Sequence, residues 1–293
     1  MAFTSFTSSS RHMPTKTDGG VLVASHYGDG ADAAARLASA FATRQHVSIE
    51  ALAVVEPIAS DLAAYSPNFV ALEAERRRRL HDTAPHDIPV VVQEGNPPDR
   101  IAARANAIGA TLIAMGIGHH DVLNRLLGVE EAIAVLRRAS VPVLAAQPRA
   151  VAPMRSIVIA TDFSPAAQRA AQLAMAFAST DADVHLVHVW PWMDLGGSNA
   201  PVWRHVYRAG VQVKFDQLIR SLDLPPNASI SIHLEHGATQ RVIRAIAMRH
   251  HADLVVLGSH GKRFVDRLML GSVSEAVLRE SECSVLIAPF SGG

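Results

Sequence analysis

One cysteine, Cys283, in 293 residues excludes any intrachain disulfide and suits a reducing compartment. Neither sign of charge is in excess, with 27 Lys and Arg against 27 Asp and Glu. A general nucleic-acid surface, or a patch for anionic lipid, needs a basic surplus, so neither partner is expected. No run approaches the roughly 20 apolar residues that span a bilayer. Met1 to Gly20 is rich in Ser and Thr and lacks the apolar segment of a secretory signal. The expectation is a cytoplasmic chain whose residues 1–18 form a disordered tail. Aromatic residues are scarce at 5%, yet 49% of the chain is hydrophobic, enough to fill two cores of ordinary size.

Short apolar runs alternate with helical patterns. Val21–Ala24, Val47–Val55, Pro89–Val92, Thr111–Met115 and Val141–Ala145 read as strands. The proline in the last of these favours an edge or a first strand position. Ala31–Thr43, Ala71–His81, Arg100–Ile108 and Glu130–Arg138 read as helices. Arg76 to Arg79 cover all sides of the second helix, so with Glu73 and Glu75 they form a solvated face rather than one basic stripe. After a linker at 148–153 the pattern restarts. Ile157–Ala160, Val184–Trp190, Ile230–Leu234, Asp253–Leu257 and Ser284–Ala288 are strands; Ala166–Ser179, Val206–Ser221, Arg241–His250 and Val273–Glu280 are helices. Ser164 followed by Pro165 is a helix start, a capping hydroxyl with proline at the first helical position.

The two halves are a repeat. Gly95 and Gly237, Ile101 and Ile243, Gly116 and Gly258, and Arg137 and Arg279 are all 142 apart, while the N-terminal strands match at 136. Strands that are apolar throughout, alternating with helices, describe a parallel sheet with helices on both faces. The fold class is α/β, two tandem doubly wound domains at 19–147 and 154–290.

The densest motif is Gly258-Ser-His-Gly-Lys262, followed by Leu270-Gly-Ser-Val273: Gly, two residues, Gly, nine residues, Gly-Ser. A glycine ending a strand lets backbone N–H groups approach a ligand, and a glycine-serine at a helix start adds N–H donors and a hydroxyl. The arrangement is a phosphate cradle, distinct from the P-loop and from the dinucleotide fingerprint.

This spaced set resembles the ATP-binding signature of the universal stress protein family, and the resemblance covers both halves. It implies five-stranded parallel sheets of the adenine nucleotide α-hydrolase-like kind, with strand order 3-2-1-4-5. The crevice then lies between strands 1 and 4, where the order reverses. It also implies ATP as ligand, with Mg²⁺ able to accompany the phosphates. Ala160, Thr161 and Asp162 match the first-strand motif, in which the aspartate binds the nucleoside; a turn aspartate capping the helix is the plainer reading. By the same resemblance the backbone of Val189 meets adenine, and Ala160 and Leu257 line the base pocket. Gly258, His260, Gly261, Gly271, Ser272 and Val273 hold phosphates and ribose, with Ser274 close by, and Lys262 and Arg263 neutralise phosphate charge or stand exposed. Members pair through the last strand. Here that gives a homodimer, or an intrachain pseudo-dimer of Val141–Ala145 against Ser284–Ala288.

The first half departs from the motif. His26 stands for Asp162, His119 for Gly261, Val129 for Gly271 and Glu130 for Ser272, while Gly116 remains. Glu130 is expected to face and repel phosphate, leaving a degenerate first site and one ATP per chain, in the second half.

Fifteen histidines raise the question of metal. Adjacent His119 and His120, or His250 and His251, point in different directions. His185 and His188, like His233 and His236, are three apart in strands and so lie on opposite faces. No ligand-spaced set appears and no metal is expected. No nucleophile elbow is present, and Cys283 has no activating partner. An ATP-binding regulatory module in stress response is the first reading. A slow ATPase or nucleotide-transferring enzyme is the alternative, weakened because no general base or acidic pair is visible beside the phosphates.

Overall fold

The computed structural model describes residues 19–25, 29–55, 88–117, 122–190, 200–259 and 270–289. The charged helix read at Ala71–His81 and the tail at 1–18 lie outside them. The first half runs β1 (Gly20–Ser25), α1 (Asp29–Gln45), β2 (Ser48–Val55), β3 (Val90–Glu94), α2 (Pro97–Ala107), β4 (Ala110–Gly116), α3 (Val122–Leu136) and β5 (Val143–Ala146). The second runs β6 (Met154–Ala160), α4 (Pro165–Ala174), a 3₁₀ turn (Met175–Phe177), β7 (Ala178–Trp190), α5 (Ala200–Arg220), β8 (Ser229–His236), α6 (Thr239–Arg249), β9 (Leu254–Gly258), α7 (Ser272–Glu280) and β10 (Ser284–Ala288).

All ten strands form one sheet in the order β3-β2-β1-β4-β5-β10-β9-β6-β7-β8. Each half is therefore 3-2-1-4-5, parallel throughout. The halves join antiparallel at their last strands, Val285 opposite Ala145 and Ile287 opposite Val143. This is the intrachain pairing weighed from the sequence. It also overturns the edge position for the proline strand, since β5 has a neighbour on each side. Pro142 precedes the first paired residue, where a missing N–H costs nothing, and its carbonyl accepts the Ile113 N–H at 2.9 Å.

The central strands are apolar because both faces are covered. Val21 to Val23, Ile157 to Ile159, Leu254 to Val256 and Val285 to Ile287 are all buried. On one face α1 packs beside α4 and the 3₁₀ turn, with Phe41 stacked on Phe177 at 5.3 Å. On the other, α2 and α3 share a core with α6 and α7. Both cores run across the β5–β10 seam. The helix read over Ala166–Ser179 ends sooner: Ala178 is already paired with Met154 in the sheet. Its alanine-rich sequence favours helix, and sheet pairing overrides that preference.

Candidate functional site

Two segments meet at the carboxyl end of the second sheet, one leaving β6 and one leaving β9. After Ala160 the chain turns through Thr161, Asp162 and Phe163 before Ser164 caps α4. The turn is tied by its own side chains. Thr161 Oγ1 accepts the Phe163 N–H at 2.9 Å, Asp162 Oδ1 accepts the Ser164 N–H at 2.9 Å, and Ser164 Oγ accepts the Ala167 N–H at 3.2 Å. These bonds hold Phe163 at a φ of 62°, left-handed backbone that a bulky residue rarely adopts. The turn role read as the plainer alternative for Asp162 is thus present, and Asp162 also lines the cleft.

β9 ends at Gly258, where an added Cβ would stand 3.0 Å from the Ala167 nitrogen, a tight contact that glycine relieves as α4 packs on the strand. Ser274 Oγ donates to the Gly258 carbonyl at 2.8 Å, and the Gly271 N–H donates to the Ser259 carbonyl at 2.7 Å. These bonds bring the start of α7 onto the end of β9. Gly271 caps α7 with extended backbone, φ −64° and ψ 143°, and no side chain to bond the first turn. The N–H groups of that turn lack an intrahelical acceptor and carry the positive end of the helix dipole.

Between the two segments lies a cleft of about 750 Å³, within the range of small-molecule sites. Ala160, Thr161, Asp162, Val189, Leu257, Gly258, Gly271, Ser272, Val273 and Ser274 all line it. His260, Gly261, Lys262 and Arg263 lie outside the described residues. Sequence reasoning missed the wall formed by Tyr207, Val211 and Lys214. These residues are spaced four and three apart, hence on one stripe of α5; that spacing was a usable signal.

It also missed His188. Its Nδ1 lies 2.7 Å from the Thr161 carbonyl and its Nε2 lies 2.9 Å from the Tyr207 hydroxyl. A carbonyl can only accept, so Nδ1 carries a proton, and in the neutral ring Nε2 accepts from Tyr207. Burial raises the Tyr207 pKa, which keeps that donor protonated. The relay ties α5 and β7 to the Thr161–Phe163 turn. Phe163 lies 4.8 Å from His188 and 5.0 Å from Phe215, ring centre to ring centre.

The family's sequence profile matches residues 20–147 and again 153–289. The chain belongs to the universal stress protein family. It is a tandem member, with two copies of the unit in one chain. A universal stress protein of Methanocaldococcus jannaschii is 30% identical over 139 residues, 45% of this chain and 81% of the relative. One from Mycobacterium tuberculosis is 29% identical over 180 residues, 58% of this chain, which spans 56% of that relative's length. The crystal structure of a universal stress protein from Archaeoglobus fulgidus superposes with a TM-score of 0.57 at 21% identity, covering 93% of this chain and 96% of that one. That likeness carries the fold.

The corresponding place in the first half is built differently. Gly116 ends β4 as Gly258 ends β9, but an added Cβ would meet the Gly30 carbonyl carbon at 2.2 Å. α3 already begins at Val122, so Val129 and Glu130 lie well inside it. Val129 is buried in the core. Glu130 binds Arg279 of the other half in two contacts, the Oε2 one at 3.1 Å, and does not face a phosphate cradle as the sequence reading expected. The cause is the seam, which brings α3 alongside α7. That guanidinium holds the Glu130 carboxyl below its usual range. His26 and His119 lie outside the described residues.

Cys283 lies half-buried before β10 and burial pushes its thiol up, which disfavours the nucleophilic thiolate. The expectation of no metal rested on spacing along each strand. Across strands, the structure brings His185, His233 and His250 together.

Proposed function

We propose that this stress protein is a regulatory module that binds one ATP per chain, in the cleft of the second half. The observation that carries the reading is the pair of helix positions. α7 starts at the cleft with a side-chain-free cap, whereas α3 runs through the matching position. N–H groups inside a helix are bonded to carbonyls four residues back and cannot turn to a ligand. The residues present suit the nucleotide. The α7 start offers N–H donors to phosphate, Asp162 offers a carboxylate to ribose hydroxyls, and the apolar wall of Ala160, Val189 and Leu257 accepts a base. Among the described residues no carboxylate pair stands at the phosphate end, which favours binding over turnover. Membership of the family supports a stress-related role.

Isothermal titration of the intact chain with ATP tests the reading, and saturation near one equivalent is expected. Two equivalent sites, or binding that survives when the α7 start is blocked, would overturn it.

A further inference from the structure

On the opposite side of the second sheet from α5, three histidines meet. His185 comes from β7, His233 from the edge strand β8 and His250 from the C-cap of α6. One ring nitrogen from each lies within 4.8 Å of the others. His185 Nδ1 and His233 Nε2 are 3.2 Å apart, the His185 and His250 rings stack at 3.9 Å, and the His233 ring lies 5.3 Å from that of His250. His250 Nε2 is buried with no hydrogen-bond partner. The backbone of His250 is fixed on both sides, its N–H donating to the Ile246 carbonyl and its C=O accepting from Ser156 Oγ at 2.9 Å.

Three imidazoles with one buried, orphaned nitrogen are costly as a mere packing solution, since an unpaired buried polar atom loses its hydration without return. The first half shows what packing alone uses. Strand register places Glu50 where His185 stands, through Leu22 and Val158 of the two first strands. It places Val91 where His233 stands, and the 142-residue repeat places Ile108 at His250. There Glu50 is satisfied by Arg104, in bonds of 2.6 and 2.5 Å. The repeat counterpart of Arg104 is the apolar Ile246, which brings no such cation to the three rings. A neutral imidazole keeps one nitrogen lone pair, and one ring nitrogen from each of the three residues converges here. Neutral imidazole is the form that ligates metal.

We infer that His185, His233 and His250 form a binding site for a divalent transition metal of the zinc class, with solvent as the fourth ligand. With zinc–nitrogen bonds of about 2.0–2.1 Å, a tetrahedral site separates its nitrogens by roughly 3.4 Å. The 3.2 Å between His185 and His233 is already near that distance, and the third nitrogen closes from at most 4.8 Å. Half-exposed His233 and His250 leave the fourth position open to water. The ion ties β8 to β7 and to the end of α6. This inference does not depend on the nucleotide reading.

The test is titration of chelator-stripped full-length protein with Zn²⁺ by calorimetry, and with Co²⁺ as an optical probe of tetrahedral geometry. One equivalent per chain with micromolar or tighter affinity is expected, together with shifted ¹⁵N imidazole resonances of the three residues. His233→Asn and His250→Gln should each weaken binding by about 100-fold or more, since even a lost outer-shell partner costs 10–100-fold. Each variant should keep its far-ultraviolet circular dichroism, and the double variant His119→Asn/His120→Asn should bind as the parent does. Zn²⁺ affinity unchanged in both single variants, or no binding tighter than millimolar in the parent, overturns the site and leaves a hydrogen-bonded histidine pair.

Discussion

The two halves share a strand order, a sheet and a glycine at the end of the fourth strand, yet they treat the space above that glycine in opposite ways. In the second half the helix after the fourth strand waits until Ser272 to begin. In the first it begins at Val122, eight residues before Glu130, the repeat's counterpart of Ser272. The sheet depends on apolar strands that both halves keep, so the fold survives either choice. A ligand-binding helix start depends on where one helix stops short, and a few residues decide that. Fold and site are therefore separable in this chain.

The sharpest way to break the comparison is to make the second half resemble the first. Gly271→Val places there the residue that Val129 represents. Its backbone, φ −64° and ψ 143°, is open to any residue, so the fold should persist. The β-branched side chain obstructs the N–H groups of the first turn. Losing two hydrogen bonds to charged phosphate, each about 1.5–3 kcal/mol, should weaken ATP by about 100-fold or more. Asp162→Ala should lose about tenfold to 100-fold, and for ATP rather than inorganic triphosphate. Calorimetry with both ligands separates the two. Equal losses for ATP and triphosphate in the aspartate variant would remove the nucleoside role, and unchanged ATP affinity in a folded glycine variant would remove the cradle.

A second comparison concerns the glycines that survive in both halves. A Cβ on Gly116 would stand 2.2 Å from a backbone carbon, whereas on Gly258 its nearest neighbour is 3.0 Å away. Gly116→Ala must shift the start of α1 from the strand, and overpacking of that kind costs about 1–3 kcal/mol. Gly258→Ala should cost less. Urea denaturation of the two variants reads the difference directly. A larger loss at Gly258 would mean that the second half, not the first, is the tighter packed at this point.

The strands and the repeat were legible because apolar runs and fixed offsets are properties of the chain itself. Val21 to Ala24 and Ser284 to Ala288 needed nothing more. The cleft's floor and the helix start beside it were legible through the Gly-x2-Gly-x9-Gly-Ser spacing. Its α5 wall showed only as the one-stripe spacing of Tyr207, Val211 and Lys214, which points to a site once α5 is laid against β7. The histidine cluster failed for a related reason. His185 and His188 sit on opposite faces of one strand, while His185, His233 and His250 meet across two strands and a helix end. Glu130 was misjudged because its partner, Arg279, lies 149 residues away, across a seam that local pattern does not reveal.

The smallest predicted effect decides between two accounts of why the first half is expected not to bind nucleotide. If Glu130 repelled phosphate from an otherwise competent cradle, neutralising it would open a second site. In the structure Glu130 instead pairs with Arg279, which also binds Glu275, and Arg137 reaches Glu275 at 3.1 Å. The Glu130 and Arg279 side chains are 52% and 36% exposed, so screening limits the pair to under about 1 kcal/mol. Glu130→Gln should therefore lower stability only slightly and leave ATP binding at one equivalent, because α3 still occupies the first half's helix position. The sign with pH follows from the lowered carboxyl. A depressed acid adds stability that is full above the ordinary value of 4.5 and fades as the pH falls below it. Glu275, also lowered by Arg279, fades in the same direction. Parent and variant should thus differ most above that pH and converge in acid, as read by thermal melts across a pH series. A second ATP equivalent in Glu130→Gln would restore the electrostatic account and reject the helical one.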